Sequence, residues 1–203
     1  MKPLDIVAIV GSLRRDSFTR RLVQAMQLIA PVSLSFDLLP LQSLTLYNED
    51  EDTGSPPKPW TDFRERVRRA DAVLFATPEY NRSVPGVLKN AVDIGSRPYG
   101  RSVWSRKPAA VLSTSPGALG AFGANHHLRQ CLVFLDMPTL QQPECYMGAV
   151  DTLLNEAGRI VLPSAQDHLI NFMRQFEAWI RQQTDSLRSS QQTDSANSLE
   201  HTV

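Results

Sequence analysis

Three short runs, at 4–10, 72–77 and 109–113, are built almost wholly from Val, Ile, Leu, Ala and Phe, and helical spacing follows each of them. A run that is apolar without alternation belongs to a strand covered on both faces. Between the runs, Leu22, Val23, Met26 and Ile29 recur at three- and four-residue spacing over 17–30, until Pro31 stops the helix. Residues 33–38 alternate like a strand. Further helices are predicted over 60–69, over 85–94 with Pro85 in its first turn, and over 124–135. A short last strand is expected at 137–140. A last helix is expected at 164–182, its stripe formed by Leu169, Phe172, Met173, Phe176 and Ile180. Five strands alternating with helices predict an α/β protein: a doubly wound, five-stranded parallel sheet with helices on both faces.

The 203 residues suit one domain at 1–183, with enough chain for a sizeable core. Lys plus Arg and Asp plus Glu number 21 each, so the formal charge is zero. That balance lacks the basic footprint of a nucleic-acid or anionic-membrane partner. The cluster Arg64, Arg66, Arg68 and Arg69 is interrupted by Glu65 and is expected to be a solvated helix face. No apolar run reaches the ~18 residues of a membrane span, and the N-terminus lacks the pattern of a secretory signal, so a cytoplasmic protein is expected. Cys131 and Cys145 form no disulfide framework, and Cys131 reads as a small core residue. His126 and His127 would point about 100° apart on a helix, so no metal site is expected. Beyond residue 183 the chain is Ser, Gln, Thr, Asp and Asn with few apolar residues, and 184–203 reads as a disordered tail. The connection 39–59 is long enough to suggest function or disorder.

In an open α/β sheet a ligand binds beyond the carboxyl ends of the strands, which directs attention to three loops. The first, Gly11-Ser12-Leu13-Arg14-Arg15-Asp16-Ser17-Phe18-Thr19, follows a buried strand and opens a helix, where free N–H groups favour an anion. It has neither the spaced glycines of a dinucleotide loop nor the Gly-Lys-Ser/Thr of a P-loop. Its hydroxyls and Arg14 suit one terminal phosphate. Equally, Ser17 could do no more than cap the helix. The second loop, 77–86, is stiffened by Pro78 and Pro85 and carries Tyr80, which either covers a planar ring or packs locally. The third, 113–120, is made of small residues around Gly117.

Taken in order, Gly11-Ser12-Leu13-Arg14 with Ser17, Pro78-Glu79-Tyr80-Asn81, Val84-Pro85-Gly86 with Leu88-Lys89-Asn90-Ala91 and Asp93, and His127-Leu128-Arg129-Gln130 resemble the NADPH-dependent FMN reductase family, in its quinone and chromate reductase branch. The resemblance implies a flavodoxin-like sheet with strand order 2-1-3-4-5 and FMN at its switch point. It implies that Ser12, Arg14, Ser17, Phe18 and Thr19 hold the phosphate end. Pro78, Glu79, Tyr80 and Asn81 would then meet the flavin ring, Tyr80 and Asn81 positioning it through backbone N–H groups, with Thr114, Ser115 and Gly117 opposite. Lys89, Asn90 and Asp93 are expected to be structural, and Arg97 to steer an anionic acceptor or the donor's phosphates. NADPH or NADH would be the electron donor, and a quinone, azo, flavin or chromate compound the small-molecule acceptor. A homodimer is expected, with a tetramer possible. The competing readings are an electron carrier or flavin-binding regulatory module without turnover, and a phosphate-binding domain without flavin.

Overall fold

The computed structural model describes residues 2–200, with side chains through residue 186. Strands β1 (Leu4–Val10), β2 (Leu34–Leu39), β3 (Ala72–Thr77), β4 (Ala109–Thr114) and β5 (Cys145–Met147) form one parallel sheet in the order β2-β1-β3-β4-β5. The helices are α1 (Phe18–Ile29), α2 (Lys58–Arg69), α3 (Gly86–Ser96), α4 (Phe122–Phe134) and α5 (Pro163–Glu200).

Strand pleating sorts the core into two layers, because successive side chains point to opposite faces. Ile6, Ala8, Leu74 and Leu112 face α1 and α5, where they meet Leu22, Met26, Phe172 and Phe176. Val7, Ile9, Phe75 and Val111 face α2, α3 and α4, where they meet Phe63, Leu88, Ile94 and Leu128. Gly95 allows a close approach in this second layer: a Cβ there would lie 2.3 Å from Cζ2 of the buried Trp104. The Trp104 indole cannot move aside without losing its hydrogen bond to the Val92 carbonyl, at 2.8 Å.

The last edge departs from expectation. Residues 137–140 do lie beside β4, but they make only an isolated bridge, Thr139 to Ala109, with the Leu140 N–H donating to the Ala109 carbonyl. Pro138 and Pro143 have no N–H to extend that ladder. Chain and sheet meet again at β5, which pairs with the far end of β4. Consequently Cys145 is the buried cysteine, and Cys131 is partly exposed on α4. Burial pushes the thiols of both Cys145 and Cys131 upward.

The arginine cluster is also not the free surface that its charge suggested. Arg64 is buried, with its Nη atoms donating to Asp52 at 2.8 and 2.7 Å and its Nε to the Ile94 carbonyl at 2.8 Å. Arg66 bridges Asp5 and Asp37, and Arg68 and Arg69 share Glu65. The long connection, 40–57 in the structure, is therefore ordered. Asp52 anchors one end of it to α2. At the other, the Tyr47 N–H donates to Asn90 Oδ1, and Asn90 Nδ2 donates to the Thr45 carbonyl at 2.9 Å. Asn90 thus has the structural role expected of it, tying α3 to this connection, while Lys89 and Asp93 pair with each other along the helix.

Past Ile180, the last buried residue of α5 among those whose side chains are described, the helix continues to Glu200 through the polar segment expected to lack order, and residues 201–203 lie outside the described residues. No helix among the described residues is long and apolar enough to cross a membrane.

Candidate active site

The carboxyl ends of β1, β3 and β4 open into one cleft of about 150 Å³. It is lined by Ser12, Arg14, Ser17, Phe18 and Thr19 from the first loop, Pro78, Glu79 and Tyr80 from the second, and Thr114, Ser115 and Pro116 from the third, with Val150. Ten of the residues singled out from the sequence thus converge on a single space. Such a cleft is smaller than the roughly 300 Å³ of an enclosed small-molecule site, so a nucleotide held by it would lie partly on the open rim.

Each loop is held by identifiable bonds. Ser17 caps α1, its Oγ accepting from the Arg20 N–H at 3.2 Å, and Ser12 Oγ accepts from the Arg14 N–H at 3.4 Å. Both hydroxyls accept from the protein and keep their own O–H to donate. Thr19 and Thr114 share a buried hydroxyl–hydroxyl bond of 2.8 Å that fastens the first loop to the third. The Arg14 guanidinium lies 5.9 Å from the Phe18 ring centroid.

The second loop ends in a tight turn. Tyr80 and Ser83 exchange N–H···O bonds of 3.2 and 2.9 Å, and Asn81 and Arg82 take φ values of 51° and 62°, the signature of a type I′ turn. This corrects one expectation: the Tyr80 N–H is already used inside the turn, so of the two only the Asn81 amide is free for a ligand. Asn81 itself stands just outside the cleft lining. The Tyr80 side chain is 56% exposed, so it does not pack locally and its ring stands open at the rim. His127 Nδ1 bonds Ser83 Oγ at 2.8 Å, fastening the turn to α4.

Glu79 is the cleft's only carboxylate, and it is engaged: Oε2 accepts from the Ala124 N–H at 2.9 Å, capping the start of α4. A Cβ at Gly123 would come within 2.9 Å of both that oxygen and the Arg82 carbonyl. The small residues of the third loop have a structural cause as well. A Cβ at Gly120 would meet the backbone of Tyr146 at 2.8 Å, and one at Gly148 the Ala118 carbonyl at 2.6 Å. Gly117 is open on that side but, like Asn81, is not part of the lining.

Arg97 falls elsewhere. It follows α3, whose 11 residues run away from the cleft over about 16 Å. It lines a separate recess of about 580 Å³ with Asp52, Arg64, Arg68 and Arg101. It is not part of the cleft lining. Conversely, Pro116 and Val150 line the cleft without a signal in the sequence that singles them out. Val150 arrives from beyond β5 and has no local motif. Asn125 is a buried addition: its Nδ2 donates to Ser113 Oγ, and its Oδ1 accepts from Arg129 Nε, which gives Arg129 a structural role below the third loop.

With the half-buried Glu79 carboxylate turned to α4, what faces the cleft from the first loop is hydroxyl, guanidinium and amide donors. That donor set fits a phosphate monoester at a helix start. The model of the NADPH-dependent FMN reductase family matches residues 4–151.

The chain belongs to the NADPH-dependent FMN reductase family.

It is 51% identical over 177 residues to a quinone reductase of Pseudomonas putida, covering 87% of this chain and 95% of that one. It is 43% identical to a 2-hydroxy-1,4-benzoquinone reductase of a Burkholderia species, covering 88% and 97%. Among solved structures, the flavoenzyme NAD(P)H:(acceptor) oxidoreductase of Paracoccus denitrificans superposes with a TM-score of 0.84 at 36% identity, covering 89% of this chain and 98% of that chain. The chain is accordingly a flavodoxin-like oxidoreductase whose flavin is FMN and whose electron donor is a nicotinamide nucleotide.

Proposed function

We propose that this protein is an NAD(P)H-dependent quinone reductase in which donor and acceptor use one face of the site in turn. The observation that carries the proposal is the single cleft, donor-lined at its closed end and open at Tyr80, at the switch point of the sheet. Ser12, Arg14 and Ser17, with the first amides of α1, would hold the phosphate of FMN. Pro78, Glu79, Tyr80 and the Asn81 amide would border the ring on one side, and Thr114, Ser115 and Gly117 on the other. Thr19 and Thr114 hold the two sides together. Bound there, FMN supplies two-electron transfer between a nicotinamide and an acceptor. Overall, NAD(P)H, a proton and a quinone become NAD(P)⁺ and a hydroquinone. Azo compounds, free flavin and chromate are further candidate acceptors for the same open rim.

Initial rates measured at several fixed quinone concentrations test the reading. Parallel double-reciprocal lines, with the quinone competing against NAD(P)H, support a shared face. Intersecting lines mean that both bind together and overturn it. A purified protein whose flavin NAD(P)H cannot bleach without oxygen would instead be an electron carrier.

We also place the protein in the cytoplasm as a homodimer or larger assembly. Leu46 supports a subunit contact: it is 79% exposed although the flanking Leu44 and Tyr47 pack on the core. Sedimentation at micromolar concentration should give at least a dimer, and a monomer alone would refute the contact.

A further inference from the structure

We infer that Arg20, which does not line the cleft, is the positioning residue that turns the first loop's amides toward the FMN phosphate. The inference rests on the FMN assignment above. Arg20 stands in the first turn of α1 and reaches back over the loop. Its Nη2 donates to the Ser12 carbonyl at 3.0 Å and its Nη1 to the Arg14 carbonyl at 3.3 Å. A trans peptide is planar, so the C=O of one residue and the N–H of the next point in opposite directions. Drawing the Ser12 and Arg14 carbonyls onto one guanidinium therefore sends the Leu13 and Arg15 N–H groups away from it.

The two sides of the loop differ in what they face. Arg20 lines an outer recess with Leu13, Gln24, Leu38 and Gln42, whereas Arg14 and Ser17 line the cleft on the other side. Neither the Leu13 nor the Arg15 N–H has an acceptor among the described residues. The guanidinium fork thus holds two carbonyl oxygens, which would repel an anion, on the outer side. Two unsatisfied donors are left for the inner side. A guanidinium presents its donors on one rigid plane, whereas a lysine ammonium is a compact point charge on a flexible stem that loses more freedom for each bond it forms.

The test uses apoprotein of wild type, Arg20→Met and Arg20→Lys, titrated with FMN and with riboflavin, which lacks the phosphate. Arg20→Met keeps the apolar stem and removes the fork. It should weaken FMN about tenfold or more, since donors to a charged group are at stake, while riboflavin affinity stays within about twofold on the same reasoning. Arg20→Lys should fall between wild type and Arg20→Met. FMN binding unchanged in Arg20→Met overturns the inference and leaves the FMN assignment standing. Equal loss of FMN and riboflavin also overturns it, since Arg20 would then be holding the fold at large. Full rescue by Arg20→Lys would mean that charge alone suffices and likewise overturns the fork. Wild-type apoprotein that binds no FMN overturns both this inference and the assignment beneath it.

Discussion

Asp52 and Arg64 offer a sharp test of how the connection between β2 and α2 is held. Their side chains are 2% and 7% exposed and meet through two hydrogen bonds, and Arg64 also serves the Ile94 carbonyl on α3. Replacing Arg64 with Met keeps the stem but leaves a buried carboxylate with the Tyr47 hydroxyl, at 3.3 Å, as its remaining side-chain partner. Breaking one side of a buried pair costs about 3–5 kcal/mol, whereas an exposed pair is worth about 0–1 kcal/mol. For a protein of this length that loss corresponds to roughly 6–20 °C in Tm. Urea unfolding should be followed on apoprotein at fixed pH, because bound flavin would add its own stabilisation. Arg64→Met should lower the midpoint accordingly, and Asp52→Leu should do the same by leaving the guanidinium unpaired. The double variant Arg64→Met/Asp52→Leu removes both charges and should be more stable than either single variant. Losses below about 1 kcal/mol in both single variants, or a double variant whose loss is their sum, would refute the reasoning.

Arg14→Ala removes a charge-assisted contact of about 1.5–3 kcal/mol, so apoprotein titration should show FMN binding about ten- to hundred-fold weaker. Gly95→Ala drives a methyl into the buried Trp104 ring; overpacking should cost about 1–3 kcal/mol, visible in urea unfolding and in the tryptophan emission of the folded protein. At Glu177, burial pushes the carboxyl's pKa up, but hydrogen bonds from Ser33 and Arg181 outweigh it and hold the pKa below the usual glutamate range. A lowered folded pKa stabilises above the unfolded value of about 4.3 and is lost as pH falls through the folded value. Glu177→Gln should therefore be less stable than wild type at pH 7, with the gap closing below about pH 4, as read by thermal unfolding across pH.

Apolar patterning determined the layers: the almost wholly apolar runs at 4–10, 72–77 and 109–113, each followed by helical spacing, point to strands of a parallel sheet covered by helices on both faces. That the first loop borders the cleft was equally legible, because its signals are local: a strand end, hydroxyls, and a helix start within nine residues. What the tertiary structure decided was every relation between segments distant in sequence. The edge strand slid from 137–140 to Cys145–Met147 because prolines interrupt the nearer pairing. Arg64 became a buried anchor and Arg97 a resident of another recess. Spacing tells neither how far α3 carries a side chain nor that Asp52 waits 12 residues before its partner. Glu79 reads in sequence as a residue that meets the candidate flavin ring. Only the approach of α4, with Gly123 small enough to permit it, turns that carboxylate into a helix cap. Periodicity reports which face a residue occupies; which group stands opposite it depends on how the elements pack.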